Sequence, residues 1–261
     1  MDIKWEEVEK LVKPTKNFET LIENILAVIQ YNFVKDHYNL NMLEMQNYTT
    51  KLLGCDPKQR YQNYLENLNI TYKKLETMKI KSISEFVSAV DTKEKFELFV
   101  KENEFSLEEI IRVLKYLFNW YYPTKSYLRE LVEKEDKKHL EYIAILRKNG
   151  IRFTLDILDQ GYTENMRSNL EKETGIPKAF ISDIVNKADF TRMPYIRGKT
   201  VKHYFAIGYN TLEKLAKADL SELDDKMKYY LESVGVKLSK SFIELDSGIE
   251  ISSIIHKIVE N

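Results

Sequence analysis

Apolar side chains recur at spacings of three and four along most of this chain. Leu21, Ile22, Ile25, Leu26 and Ile29 fall on one face of a helix at that spacing. Ser106-Leu107-Glu108-Glu109 has the form of a capping box, with Ser at the cap and Glu three residues on. Ile110, Val113, Leu114 and Leu117 follow as its buried stripe. Asp56-Pro57 predicts a turn ahead of a helix through Tyr61, Tyr64, Leu65 and Leu68. Pro123 ends the helix that follows Ser106. The stretch from Leu128 to Arg147 predicts another helix, with Leu131, Leu140, Ile143 and Leu146 apolar and the charges from Glu130 to Lys138 on a solvated face. Trp5 is expected to dock the first segment. The cluster Phe118, Trp120, Tyr121 and Tyr122 reads as packing rather than as a surface for stacking bases.

A repeat organises these helices. Leu75 to Phe86 resembles Leu146 to Ile157, an offset of 71 residues. Each copy continues through a short helix to an aromatic or apolar hinge, Phe105-Ser106 in the first and Ile176-Pro177 in the second. A third copy begins at Ile207-Gly208-Tyr209, with Asn210 as its expected cap, Glu213 three residues on and Gly235-Val236 as its hinge. The expected fold is all-α, built of tandem diverged helical hairpins, none of which buries its apolar face alone.

Composition narrows the class. Among 261 residues there are only 8 Gly and 5 Pro, which disfavours a many-stranded β fold. Cys55 is the single cysteine, so neither an intrachain disulfide nor a cysteine-based zinc site is available. The first residues carry no apolar run, and Leu21 to Val34 is too short and too polar to span a bilayer. A soluble, cytoplasmic protein with no membrane contact is expected. Forty Lys and Arg stand against 41 Asp and Glu. This neutral total hides an asymmetry. Lys187 to Lys217 holds seven Lys and Arg against two acids, whereas Asp219 to Asn261 holds five Lys against nine acids.

The run Ile184-Val185-Asn186-Lys187-Ala188-Asp189-Phe190, then Arg192-Met193-Pro194, followed by Gly208-Tyr209-Asn210-Thr211-Leu212, resembles the family catalogued as domain of unknown function 4332, which is related to helix-hairpin-helix domains. The resemblance covers roughly the last 110 residues. It implies a compact helical domain, here 141–261, that binds nucleic acid or protein; the helix pattern ahead of it is expected to form an N-terminal helical domain at 1–140 containing the first repeat. In a helix-hairpin-helix the turn reads hydrophobic-Pro-Gly-x-Gly, and its backbone amides face a phosphate. Here the turn is Met193-Pro194-Tyr195-Ile196-Arg197-Gly198-Lys199. Tyr195 and Arg197 stand where the glycines would be, and Gly198 follows one place late. The bulk disfavours recognition by backbone amides, so side chains carry the expectation. Arg197, Lys199 and Lys202 are expected to contact phosphates and Tyr195 to stack on a base or sugar, with Arg192 and Gly198 completing the nucleic-acid site.

No catalytic constellation accompanies these residues. Gly198-Lys199-Thr200 has Met193 where a phosphate-binding loop needs glycine. His37, His139, His203 and His256 form no metal-spaced pair. Asp219 lies 21 residues after Gly198, near where helix-hairpin-helix glycosylases carry an Asp, but it reads as a helix cap ahead of Glu222. The expectation is a non-enzymatic module without cofactor that binds nucleic acid, DNA rather than RNA. The alternative is an adaptor whose repeats bind a protein partner.

Overall fold

The computed structural model describes residues 3–55, 59–236 and 245–260. The expected turn at Asp56-Pro57 lies outside them. The described residues form sixteen α-helices, joined by short turns and one isolated β-bridge. The all-α expectation holds. No helix among the described residues is long and apolar enough to cross a membrane.

The chain divides into two compact units, Met1–Tyr122 and Pro123–Asn261. Residues 123–140, which the sequence reading assigned to the N-terminal domain, fall in the second unit. Hydrogen bonds account for this. Leu128 N–H donates to the Arg152 carbonyl and Thr154 N–H to the Ser126 carbonyl, at 3.0 and 2.8 Å. Thr124 N–H donates to the Thr191 carbonyl. Residues 124–128 are thereby tied as an extended segment to the helices that follow.

The first unit contains α1 (Trp5–Leu11), α2 (Phe18–Ile29), α3 (Asn32–His37), α4 (Met42–Gly54), α5 (Gln59–Thr77), α6 (Ile83–Ala89), α7 (Lys93–Glu102) and α8 (Leu107–Tyr116). α8 starts with the expected capping box. Ser106 accepts from Glu109 N–H and Glu109 accepts from Ser106 N–H. Its stripe of Ile110, Val113 and Leu114 is fully buried. Trp5 docks as expected, donating its indole N–H to Glu97 and packing on Phe18 and Phe96. After α8 one turn widens so that Tyr122 N–H reaches the Leu117 carbonyl five residues back. Tyr121 is buried there and donates its hydroxyl to the Tyr38 carbonyl at 2.7 Å. Tyr122 is buried beside it, while Phe118 and Trp120 are half-buried, Trp120 packing edge-on against Tyr61.

The second unit contains α9 (Lys137–Lys148), α10 (Thr154–Gly161), α11 (Glu164–Thr174), α12 (Lys178–Phe190), α13 (Gly198–Ala206), α14 (Leu212–Ala216), α15 (Leu220–Ser233) and α16 (Leu245–Ile254). The expected helix from Leu128 to Arg147 is broken. Leu128–Leu131 forms a short 3-10 turn, and α9 starts only after Asp136, which accepts from His139 N–H. Leu131 is buried as its apolar position predicts, and Val132 is buried beside it in extended backbone.

The repeat is visible in the backbone. Lys79 and Gly150, 71 residues apart, both take positive φ after a helix end; so do Glu104 and Gly175, also 71 apart. Gly208 and Gly235 occupy the same places in the third copy. At Gly150, Gly208 and Gly235 the next residue's N–H reaches back five residues: Ile151 to Leu146, Tyr209 to Tyr204 and Val236 to Leu231. That bond pattern satisfies the helix-end carbonyls and favours a residue in the left-handed region. The third copy's cap is Thr211, which accepts from Lys214 N–H, rather than the expected Asn210. Asn210 instead accepts from the Lys214 ammonium.

Candidate nucleic-acid interface

The segment most specific to the resemblance is a structural clamp. Asp189, Phe190, Thr191, Arg192 and Met193 at the end of α12 are all buried. Arg192 donates to Asp189 at 2.6 Å and to the His256 carbonyl, tying α12 to the chain's last residues. Burial raises the Asp189 carboxyl above its ordinary pKa, and the adjoining guanidinium opposes that rise. Arg192 was expected at the nucleic-acid face. Its 3% exposure removes it from that role, because a guanidinium bound on both sides by the protein has no edge left for a phosphate.

Gly198 also has a packing role. A Cβ there would lie 2.5 Å from the Glu130 carbonyl oxygen and 2.9 Å from its carbon. The 3-10 turn therefore presses its backbone against the first residue of α13, and the space a phosphate would need beside Gly198 is filled by Glu130.

The remaining hairpin residues face outward. Tyr195 is 58% exposed and sits at φ 63°, a conformation uncommon for a bulky side chain. Arg197 is exposed, and its guanidinium is held by the Thr124 hydroxyl at 2.8 Å. Lys199 is exposed on the first turn of α13. Lys202 is paired with Glu133 at 3.0 Å. His203, one residue on, is buried, and its pKa is lowered, first by burial and next by Lys199. The imidazole is thus neutral at pH 7 and adds no charge of its own.

Arg197, Lys199 and Lys202 line a groove of about 1140 Å³. Four cations that the sequence reading did not assign to the site complete it: Arg129 on the 3-10 turn, Lys134, Arg147 at the end of α9, and Arg152. Apolar side chains line it as well: Val132, Leu140, Ile143, Ala144 and Ile151. Glu130 is the acid among its lining residues. Among the described residues no carboxylate lies within ion-pair distance of Arg129, Lys134, Arg147, Arg152, Arg197 or Lys199.

Other sequence candidates fall away from this groove. Asp219 caps α15, accepting from Glu222 N–H, as its sequence context suggested. Among the described residues no group of three His, Cys, Asp or Glu is placed to hold a metal ion.

An all-α repeat unit carrying one strongly basic groove is the class that fold and site define. Residues 139–239 match the model of the family described as Domain of unknown function (DUF4332), which bears out the C-terminal resemblance. No curated protein and no solved structure matches the chain.

Proposed function

We propose that the groove between α9, the 3-10 turn and α13 holds the backbone of a nucleic acid without reading its sequence, as a non-enzymatic binding module. The observation that carries this reading is the set of six cations gathered without a carboxylate partner. Clustered like charges repel and cost stability, so folding alone gives no reason to collect them while acids elsewhere are paired. Lys217 and Lys257, for example, share Glu213 and hold its carboxyl down to about 2. Tyr195, exposed beside Arg197, extends the surface a nucleotide would meet.

Titration of fluorescein-labelled DNA and RNA of unrelated sequence, read by polarisation at several salt concentrations, tests the reading. Roughly five phosphate contacts give a log–log slope of about −3 to −5, with affinity indifferent to sequence. Binding that ignores salt, or none at low ionic strength, contradicts it and moves the search to an acidic protein partner.

A further inference from the structure

Resting on that reading, we propose that the groove selects single-stranded nucleic acid, with an unpaired base stacking on Tyr127 at the groove's rim.

Tyr127 lines the groove and is 58% exposed, a large aromatic face left to solvent beside a row of cations. Its backbone is not free to fold the ring away. It pairs with Phe153 in the isolated antiparallel bridge, held by the Leu128–Arg152 and Thr154–Ser126 hydrogen bonds. The Thr154 hydroxyl locks the same segment by accepting from Ser126 N–H and donating to the Thr124 carbonyl. The two rings lie 4.7 Å apart at 36°, and the Lys125 ammonium sits 4.7 Å from the Phe153 centroid. Phe153 thus packs against Tyr127, with Lys125 set against Phe153. A ring held in place in this way loses little entropy when a base covers it.

The groove's composition points the same way. Cations line it together with Val132, Leu140, Ile143, Ala144 and Ile151. A duplex presents phosphates outward and keeps its base faces stacked inside, so it would leave the apolar lining unmatched. A single strand can set its phosphates on the cations and turn its bases toward apolar and aromatic surface. This pairing of a basic track with aromatic faces is how sequence-tolerant single-strand binding works physically.

The test compares a labelled 12-nucleotide oligothymidylate with a duplex of equal length, using the full chain. Wild type is expected to prefer the single strand. Tyr127→Ala should weaken oligothymidylate binding about tenfold, one base stack, and leave duplex binding within about twofold. Tyr127→Phe should bind like wild type, and Tyr127→Leu, which keeps bulk but no π face, like the alanine variant. In Tyr127→Trp the new indole should be quenched on adding oligothymidylate. Equal affinity for duplex and single strand, or no loss in Tyr127→Ala, overturns the inference. If Lys199→Glu still abolishes binding in that case, the groove reading stands alone. Binding of neither probe at low salt overturns both.

Discussion

Changing Arg147, Arg152 and Lys199 together to glutamate lowers affinity for an oligonucleotide by at least about a hundredfold at low salt. The three lie on different pieces of the groove: the end of α9, the turn after it and the start of α13. None is paired with a carboxylate among the described residues. The variant therefore removes three attractive charges, adds three repulsive ones and breaks no ion pair. Its thermal midpoint stays near that of wild type, because relief of like-charge repulsion offsets the small cost of an acid in the last turn of α9. Lys202→Gln should cost less than any single reversal, since its ammonium is already engaged by Glu133. Reversal of Lys217, exposed and paired with Glu213, should leave affinity unchanged. Polarisation titrations with a thermal melt for each variant separate lost binding from lost folding.

The second large effect falls on stability. Gly198→Ala should cost about 3 kcal/mol, because the added methyl meets backbone rather than a side chain that can swing aside. For a unit of this size that is a fall of roughly 10 °C in the midpoint. The strain must separate α13 from the 3-10 turn, which carry Lys199 and Arg129, so binding weakens as well. Gly54→Ala is the matched control. Nothing lies within 4 Å of its added Cβ, and its helical position favours alanine by up to about 1 kcal/mol. Differential scanning calorimetry of the two variants checks both signs. Equal midpoints would mean that the close approach at Gly198 is not maintained in solution.

Local structure was legible where a signal sat within a few residues. The Ser106 capping box, the Asp219 cap and the stripe of α8 all depend on spacings of three and four. The repeat was legible because it reuses a backbone device, visible now as positive φ at 79 and 150 and again at 104 and 175. The break after Leu131 is not legible in the sequence, because Asp136 stands within a run of charges and only the folded chain shows its carboxylate capping α9. Thr211 and Asn210 are adjacent polar residues, and either satisfies the cap pattern until the backbone chooses.

The candidate site was half legible for a related reason. The hairpin announces itself as a local excess of positive charge. From Arg129 to Arg152, by contrast, seven Lys and Arg are mixed with five acids, so the sequence shows only a slight excess there. Only folding sorts Arg129, Lys134, Arg147 and Arg152 into one groove with residues some 50 to 70 positions away. Arg192 shows the converse error. Its charge adds to the basic hairpin in sequence, yet Asp189 three residues earlier is the signal for a buried pair on one helix end.

The most direct test of the account is amide chemical-shift mapping as oligothymidylate is added to the isotope-labelled chain at low salt. The account predicts saturable shifts concentrated in residues 127–134, 147–153 and 197–202, the stretches that line the groove. Shifts confined to the acidic helix α15, or shifts scattered without saturation, would contradict it.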